Sequence, residues 1–173
     1  MQYCKDSNFF IQGWTQYYSP EVCVGYWEAI ATLGRNERLF MPREVYKEIT
    51  DTNDELSEWM KDKEYMVRDT NIEVQKCLRK IYDANPAHLR LVDSTKGRSL
   101  ADPWVIAHAL ADPWVIAHAL AENATVVTKE AFEARPTKRP RIPNVCHNMG
   151  IGCINDFDFI RQTNISFSAS ILE

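Results

Sequence analysis

The chain has 173 residues, of which 45% are hydrophobic and 25% charged, a balance typical of a globular domain and unlike that of a disordered or fibrous chain. Its formal net charge of −4 argues against non-specific coating of nucleic acid, although it is compatible with one local basic patch. No apolar run approaches the roughly 20 residues of a membrane-spanning helix, and the N-terminus lacks a signal-peptide pattern. We therefore expect a single cytoplasmic domain over residues 1–173, without membrane association.

The five cysteines are odd in number, scattered, and without a Cys-x-x-Cys pair. This usage favours buried free thiols in a reducing compartment. A zinc site built from Cys146, His147 and Cys153 would lack a fourth ligand and a recognisable spacing, so we do not expect one.

The first part of the chain combines a short apolar segment with a helical pattern. Residues 2–5 predict a strand that runs into a polar turn at 6–8. Ser19 and Pro20 have the pattern of an N-cap followed by proline at the first helical position, and they predict a helix that Gly34 closes.

The next segments repeat this alternation. Residues 39–41 predict a second strand, and Pro42 opens a helix on which Glu44 and Glu48 lie one turn apart. The elements predicted after it are a short helix at 54–62, a strand at 65–67, a helix capped by Thr70, a strand at 125–128, an exposed loop at 135–141, a helix at 143–149, a strand at 153–154 and a closing helix capped by Asn155. Strands that alternate with helices predict an α/β fold with a mostly parallel sheet.

One decapeptide, Ala-Asp-Pro-Trp-Val-Ile-Ala-His-Ala-Leu, occupies residues 101–110 and is repeated without change at 111–120. Two such short units do not make a solenoid, so this is a local duplication. Each copy encodes a helix start, with Asp as N-cap and Pro at the first helical position. In one continuous helix, Pro113 would cost about 3 kcal/mol or more, and we therefore predict a break near Ala111 or Asp112.

The two copies differ in their distance from the strand that follows. The second copy runs directly into the strand at 125–128, so we predict that Asp112 and not Asp102 is the functional aspartate. An insertion upstream falls in a loop that can absorb it. The surplus apolar residues around Trp104 need cover, which predicts dimerisation or segment exchange between chains.

Acidic residues stand at the ends of predicted strands or the starts of helices: Asp6, Glu48, one Asp of the decapeptide, and Glu130. In open parallel α/β sheets, ligands collect outside the carboxyl ends of the strands, where such acids can converge. Clustered carboxylates repel one another unless a divalent cation neutralises them. Oxygen ligands suit Mg²⁺ or Mn²⁺, and such sites hold metal-activated water and a phosphodiester. The alternative, for each acid singly, is a helix cap or a solvated charge.

Four segments resemble the signature segments of the PIN (PilT N-terminus) domain superfamily. They are residues 6–8 after the first strand, 45–48 on the helix after the second, 112–120 in the second decapeptide, and 127–130 after the later strand. Their order and spacing match across nearly the whole chain. The chain is most similar to a small PIN-like family of bacteria and archaea in which Ala-Asp-Pro-Trp occurs once.

The resemblance implies a three-layer α/β/α fold and a metal-dependent nuclease that acts on RNA, as in the toxins of bacterial toxin–antitoxin pairs. An antitoxin protein would then be a partner. Asp6, Glu48 and Asp112 would bind Mg²⁺ or Mn²⁺, and Glu130, where many relatives have Asp, would complete the site directly or through water. The residues that would support these acids are Ser7, Asn8 and Thr128.

Other residues have weaker interpretations. The basic residues of the loop are candidates for binding RNA phosphates, and a merely solvated loop is the alternative. These residues are Arg135, Lys138, Arg139 and Arg141. His108 and His118 occupy equivalent positions in the two copies, and we expect packed helix histidines rather than catalytic ones. Trp104 and Trp114 indicate packing at a helix start rather than base stacking.

Two other functions are compatible with these residues. A catalytically inactive PIN-like scaffold would bind RNA or a protein, its site spoiled by the duplication. A phosphatase or a DNA structure-specific nuclease would use the same carboxylates on another substrate. Metal binding separates the scaffold from the nuclease.

Overall fold

The computed structural model describes residues 1–91, 103–134 and 139–168, and within 103–110 it describes only the helical backbone. The strands are β1 Tyr3–Lys5, β2 Leu39–Pro42, β3 Val67–Arg68, β4 Thr125–Val127 and β5 Cys153–Ile154. The α-helices are α1 Ser7–Gln12, α2 Val24–Arg35, α3 Arg43–Thr50, α4 Glu55–Lys61, α5 Ile72–Ala84, α6 Pro103–Ala121, α7 Ile142–Met149 and α8 Asp156–Thr163. A π-helical turn spans Gly13–Tyr17, and 3₁₀ turns span Glu64–Met66 and Pro86–Leu91.

The five strands form one parallel sheet in the order β3-β2-β1-β4-β5. Cys4 in the central strand pairs with Phe40 on one side and with Val126 on the other. Strands β1 and β2 are buried throughout, as parallel strands covered on both faces must be. The predicted α/β fold with a mostly parallel sheet is therefore confirmed, in a three-layer α/β/α arrangement.

The strand order explains why helices cover both faces. The chain moves in one direction from β1 to β3 and then returns through β4 to β5, and right-handed crossovers place the two sets of helices on opposite faces. On one face, aromatic side chains of β1, α1 and α8 pack edge to face, with Tyr3 and Phe159 5.0 Å apart between ring centroids. On the other, α5 packs against α6. No described helix has the length and apolar character needed to cross a membrane.

Several helix starts follow the sequence closely. Asp54 accepts a hydrogen bond from the Ser57 amide at 2.8 Å, and Asn155 caps α8 in the same way. The predicted turn at residues 6–8 is wrong, because α1 begins at Ser7 directly after the strand. Asn71, rather than Thr70, caps α5, and the segment at 65–67 is mostly a 3₁₀ turn that leads into β3.

Helix α2 begins later than predicted. The carbonyl of Ser19 accepts from the Cys23 amide at 2.8 Å in a turn, and the helix starts at Val24. It also continues through Gly34 to Arg35. A Cβ at Gly34 would lie 2.6 Å from Met66 Cγ, so this glycine permits close packing inside the helix rather than ending it.

Residues 103–110 of the first decapeptide and all ten residues of the second belong to one continuous helix, α6, and Pro113 lies in its interior. The predicted break near Ala111 or Asp112 is therefore wrong. Ala111, Val115, Ile116 and Ala119 are all buried, so this stretch of helix contributes directly to the core. Their burial, together with the high helix propensity of alanine and leucine on both sides, offsets the hydrogen bond that the proline removes. Asp102 lies outside the described residues.

Candidate functional site at the carboxyl edge of the sheet

Asp6 follows the last residue of the central strand and is only 1% exposed. Its Oδ1 accepts a hydrogen bond from the Phe9 amide at 2.9 Å, which makes it the N-cap of α1. Its Oδ2 accepts from the Thr128 hydroxyl at 2.7 Å. Both oxygens are thus held by donors from two neighbouring strand ends, and the carboxylate has one fixed orientation.

Burial raises the pKa of Asp6 from 3.8 to about 6. The hydrogen bonds from Thr128 and Phe9 lower the pKa, and the nearby negative charge of Glu130 raises it further. The ionised form of Asp6 is therefore costly at neutral pH, and a cation beside Asp6 and Glu130 would relieve that cost.

Glu130 lies three residues beyond the end of β4 and is half-buried. Its backbone amide donates to the Thr128 hydroxyl oxygen at 3.1 Å, and its Oε2 accepts from the Ile142 amide at 2.7 Å, at the start of α7. Asp6, Thr128 and Glu130 therefore form one connected polar network. This network brings together two of the four predicted acids.

The other two acids lie on helices that pack against each other, α3 and α6. Glu48 is buried on α3, on the side that also buries Val45 and Ile49. The Asp112 carboxylate is 13% exposed and forms an ion pair with the guanidinium of Arg139. The positive charge of Arg139 therefore neutralises Asp112, the predicted third acid.

The supporting and basic residues have distinct positions. Ser7 and Thr128 are buried, and Asn8 is half-buried. Arg141 pairs with Glu133 at 2.5 Å, so both described arginines of the loop engage carboxylates. Arg135 and Lys138 lie outside the described residues.

A second group of side chains lies at the same edge and was not anticipated from the sequence. Lys129 Nζ bonds Asp156 Oδ2 at 2.5 Å, and the Tyr18 hydroxyl donates to that oxygen at 3.3 Å. Lys5 Nζ lies 3.0 Å from the ring centroid of Phe159, and burial holds the pKa of this lysine well below its usual range. A lysine at the end of an apolar strand was the only sequence signal for this cluster.

His118 is fully buried on α6, which confirms a packed helix histidine. Neither ring nitrogen has a hydrogen-bond partner among the described residues, and burial lowers the pKa of His118 to about 4. Trp114 is half-buried and packs against the core, which confirms its packing role. The side chain of His108 lies outside what the structure describes.

The donor chemistry at this edge, carboxylate and hydroxyl oxygen, fits Mg²⁺ or Mn²⁺. Within residues 1–91, 111–134 and 139–168, no three His, Cys, Asp or Glu side chains are close enough to hold a metal ion. The charge of Glu130 raises the pKa of Asp6, so these two carboxylates repel each other and a cation between them would relieve the repulsion. They are the residues that would hold it.

The comparisons with known proteins assign a family without an activity. The family model described as "Domain of unknown function (DUF4411)" matches residues 3–111 and again 110–167, so the chain belongs to that family. The two matches meet at the boundary between the decapeptides. Comparison with curated proteins and with solved structures gives no match.

Proposed function

We propose that this chain is a metal-dependent ribonuclease that hydrolyses RNA phosphodiester bonds at the carboxyl edge of its sheet. The resemblance to PIN domains supports this proposal and suggests the toxin of a toxin–antitoxin pair, with an antitoxin as protein partner. The observation that carries it is Asp6, a buried, fully hydrogen-bonded carboxylate at the end of the central strand with a pKa raised to about 6.

Each residue has a role that its surroundings suit. Asp6 and Glu130 would hold Mg²⁺ or Mn²⁺, and the cation supplies an activated water and offsets charge on the scissile phosphate. Thr128 orients Asp6 through its hydroxyl. Glu48 on α3 and Asp112 on α6 would complete the acidic surroundings. Arg139, which pairs with Asp112, would contact a phosphate.

A second candidate function is an inactive scaffold that binds RNA or a protein, and one observation favours it. The ion pair between Arg139 and Asp112 neutralises the third acid without a metal. Such a scaffold requires no divalent cation for stability, so the two candidates predict different responses to Mn²⁺.

The experiment is cleavage of a mixed pool of labelled single-stranded RNA with Mn²⁺, with Mg²⁺ and with EDTA. The wild type is compared with Asp6→Asn and with Asp54→Asn as the matched control. Asp54 caps α4 through the same type of hydrogen bond, but it is exposed and takes no part in the network of Asp6, Thr128 and Glu130. Parallel lanes contain single-stranded DNA, structured DNA and a phosphomonoester.

We expect metal-dependent cutting of RNA by the wild type and by Asp54→Asn, and a loss of at least about a hundred-fold in Asp6→Asn. Cutting restricted to DNA or to the phosphomonoester would show that RNA is not the substrate, while the proposed metal-dependent hydrolysis would be retained. Folded wild type that cuts nothing, with no change in melting temperature on adding Mn²⁺, would leave the scaffold as the function.

A further inference from the structure

Tyr17 occupies an unusual backbone turn and is unusually exposed. It is the last residue of the π-helical turn, which the Tyr18 amide closes by donating to the Gly13 carbonyl at 2.8 Å. Tyr17 is 54% exposed, whereas Tyr18 is 8% exposed and packs in the core. π-Helical turns are rare and occur frequently at functional sites, because the extra residue displaces a side chain from the regular helical path.

The Tyr17 ring is supported from one side by a fixed cation. Lys129 Nζ lies 3.9 Å from the centroid of the ring. This ammonium is anchored by Asp156 Oδ2 at 2.5 Å, and the side chains of the ion pair are only 10% and 6% exposed. Since Asp156 compensates the charge of Lys129, this lysine holds the ring in place rather than presenting a free charge.

The supported ring lies next to the acidic network. Lys129 is bracketed in the chain by Thr128, which bonds Asp6 Oδ2 at 2.7 Å, and by Glu130. Successive residues after β4 thus contact two different groups. Thr128 and Glu130 belong to the network of Asp6, whereas Lys129 lies against the ring of Tyr17. A nucleic acid whose phosphate is held by a cation beside Asp6 and Glu130 would bring a neighbouring base towards Tyr17.

We propose that Tyr17 is a stacking platform for an unpaired base of single-stranded RNA, beside the acidic network of Asp6, Thr128 and Glu130. This inference rests on the proposed function for its substrate class. An exposed aromatic ring backed by a fixed cation offers a rigid π-face, which binds any base but requires the base to be unstacked. The platform therefore selects single strands over duplexes.

The test measures binding separately from cleavage, by fluorescence anisotropy of a labelled single-stranded RNA in EDTA. The proteins are the wild type, Tyr17→Phe, Tyr17→Leu and Tyr17→Ala. Tyr65→Ala is the matched control, because Tyr65 is also an exposed tyrosine, 38% accessible, but stands in the 3₁₀ turn after α4. Further probes are the same RNA with one abasic position, the corresponding duplex and the corresponding single-stranded DNA.

We expect Tyr17→Ala and Tyr17→Leu to bind the RNA about ten-fold or more weakly, and Tyr17→Phe and Tyr65→Ala to bind as the wild type does. An abasic position should weaken the wild type by a similar factor and leave Tyr17→Ala almost unchanged. In the cleavage assay, Tyr17→Ala should raise KM and leave kcat nearly constant. Single-stranded DNA should bind through the same ring, and the duplex should be insensitive to Tyr17.

Two results would overturn the platform: wild-type protein that does not bind the RNA, or Tyr17→Ala that binds every probe as tightly as the wild type. If RNA is cut and the cutting depends on Asp6 but not on Tyr17, the ribonuclease proposal is supported and the stacking role of Tyr17 is contradicted. If binding depends on Tyr17 but no RNA is cut, the stacking role is supported and the hydrolytic function is contradicted.

Discussion

Thr128 donates its hydroxyl hydrogen to Asp6 Oδ2 at 2.7 Å and so joins the ends of two neighbouring strands that are 122 positions apart in the sequence. The Phe9 amide occupies the other oxygen of the same carboxylate. The orientation of Asp6 therefore depends on the fold itself. A cation that binds there meets a carboxylate that is already in position, which reduces the entropy lost on binding.

The raised pKa of Asp6 makes folding stability depend on pH in a defined direction. The folded protein binds the Asp6 proton more tightly than the unfolded chain, with a pKa of about 6 against 3.8. The contribution of Asp6 to the free energy of unfolding is most favourable below about pH 4 and is lost as pH rises through 6. Above that range, ionised Asp6 costs the fold about 3 kcal/mol without a cation.

We therefore expect Asp6→Asn to raise the free energy of unfolding at pH 8, by up to about 3 kcal/mol in EDTA, and to change it little at pH 4. Asparagine keeps an acceptor for the Phe9 amide and can donate to Thr128. Urea denaturation at the two pH values measures both effects. A variant that is less stable than the wild type at pH 8 would contradict the assignment of a destabilising buried charge.

The proposed function predicts that Arg139 would compete with a metal bound near Asp112, because the Arg139 guanidinium already pairs with that carboxylate. We expect Arg139→Gln to bind Mn²⁺ about ten-fold more tightly, since a charge-assisted hydrogen bond no longer has to be broken. Isothermal titration with Mn²⁺ measures the change. Arg141→Gln is the control, because it removes the neighbouring ion pair with Glu133 and leaves Asp112 untouched. Equal effects of the two substitutions would mean that Asp112 takes no part in metal binding.

Pro113 interrupts the hydrogen bonding of α6 from within. Pro113→Ala restores an amide donor and removes the ring clash with the preceding turn, so we expect the free energy of unfolding to rise by about 3 kcal/mol. Chemical denaturation measures it. Pro143, at the start of α7, is the control because proline is tolerated there, and Pro143→Ala should change stability by less than about 1 kcal/mol. No gain from Pro113→Ala would indicate a helix that breaks before residue 113.

His118 should affect stability in acid. Burial lowers its folded pKa to about 4, against 6.5 unfolded, with Asp69 raising and Arg68 lowering it. Above pH 6.5, His118 is neutral in both the folded and the unfolded protein. As pH falls towards 4, the unfolded chain takes up a proton that the folded protein does not, so the free energy of unfolding decreases. We expect the free energy of unfolding of His118→Leu, relative to that of the wild type, to be about 3 kcal/mol higher at pH 4 than at pH 7.5. A gain that is the same at both pH values would show that His118 does not titrate in the folded protein.

Local sequence patterns predicted the elements whose causes are local. The apolar strands at 39–41 and 153–154 have their predicted positions, and so do the helices that begin at the N-caps Asp54 and Asn155. The positions of the acids after the strands also followed from the sequence, because the carboxyl ends of parallel strands share one edge. Parallel pairing itself was correctly inferred from the alternation of strands and helices.

The errors arise where tertiary contacts override local signals. Ser19 and Pro20 have a strong helix-start pattern, yet Ser19 begins a hydrogen-bonded turn that ends at Cys23, and α2 starts at Val24. The proline in α6 is tolerated because the helix is buried around it. The position of Lys129 between Tyr17 and Asp156 depends on three separate segments, and no spacing in the sequence connects them.

Helix α6 contains eight residues of one decapeptide copy and all ten of the other, and the strand that follows it, β4, pairs in parallel with the central strand. A ten-residue repeat corresponds to a whole number of codons, so a gene that gains or loses one copy keeps its downstream reading frame. Because the copies are identical, deletion of either one yields the same polypeptide, with a single Asp-Pro-Trp segment. One in-frame deletion therefore reverses the duplication without any further substitution.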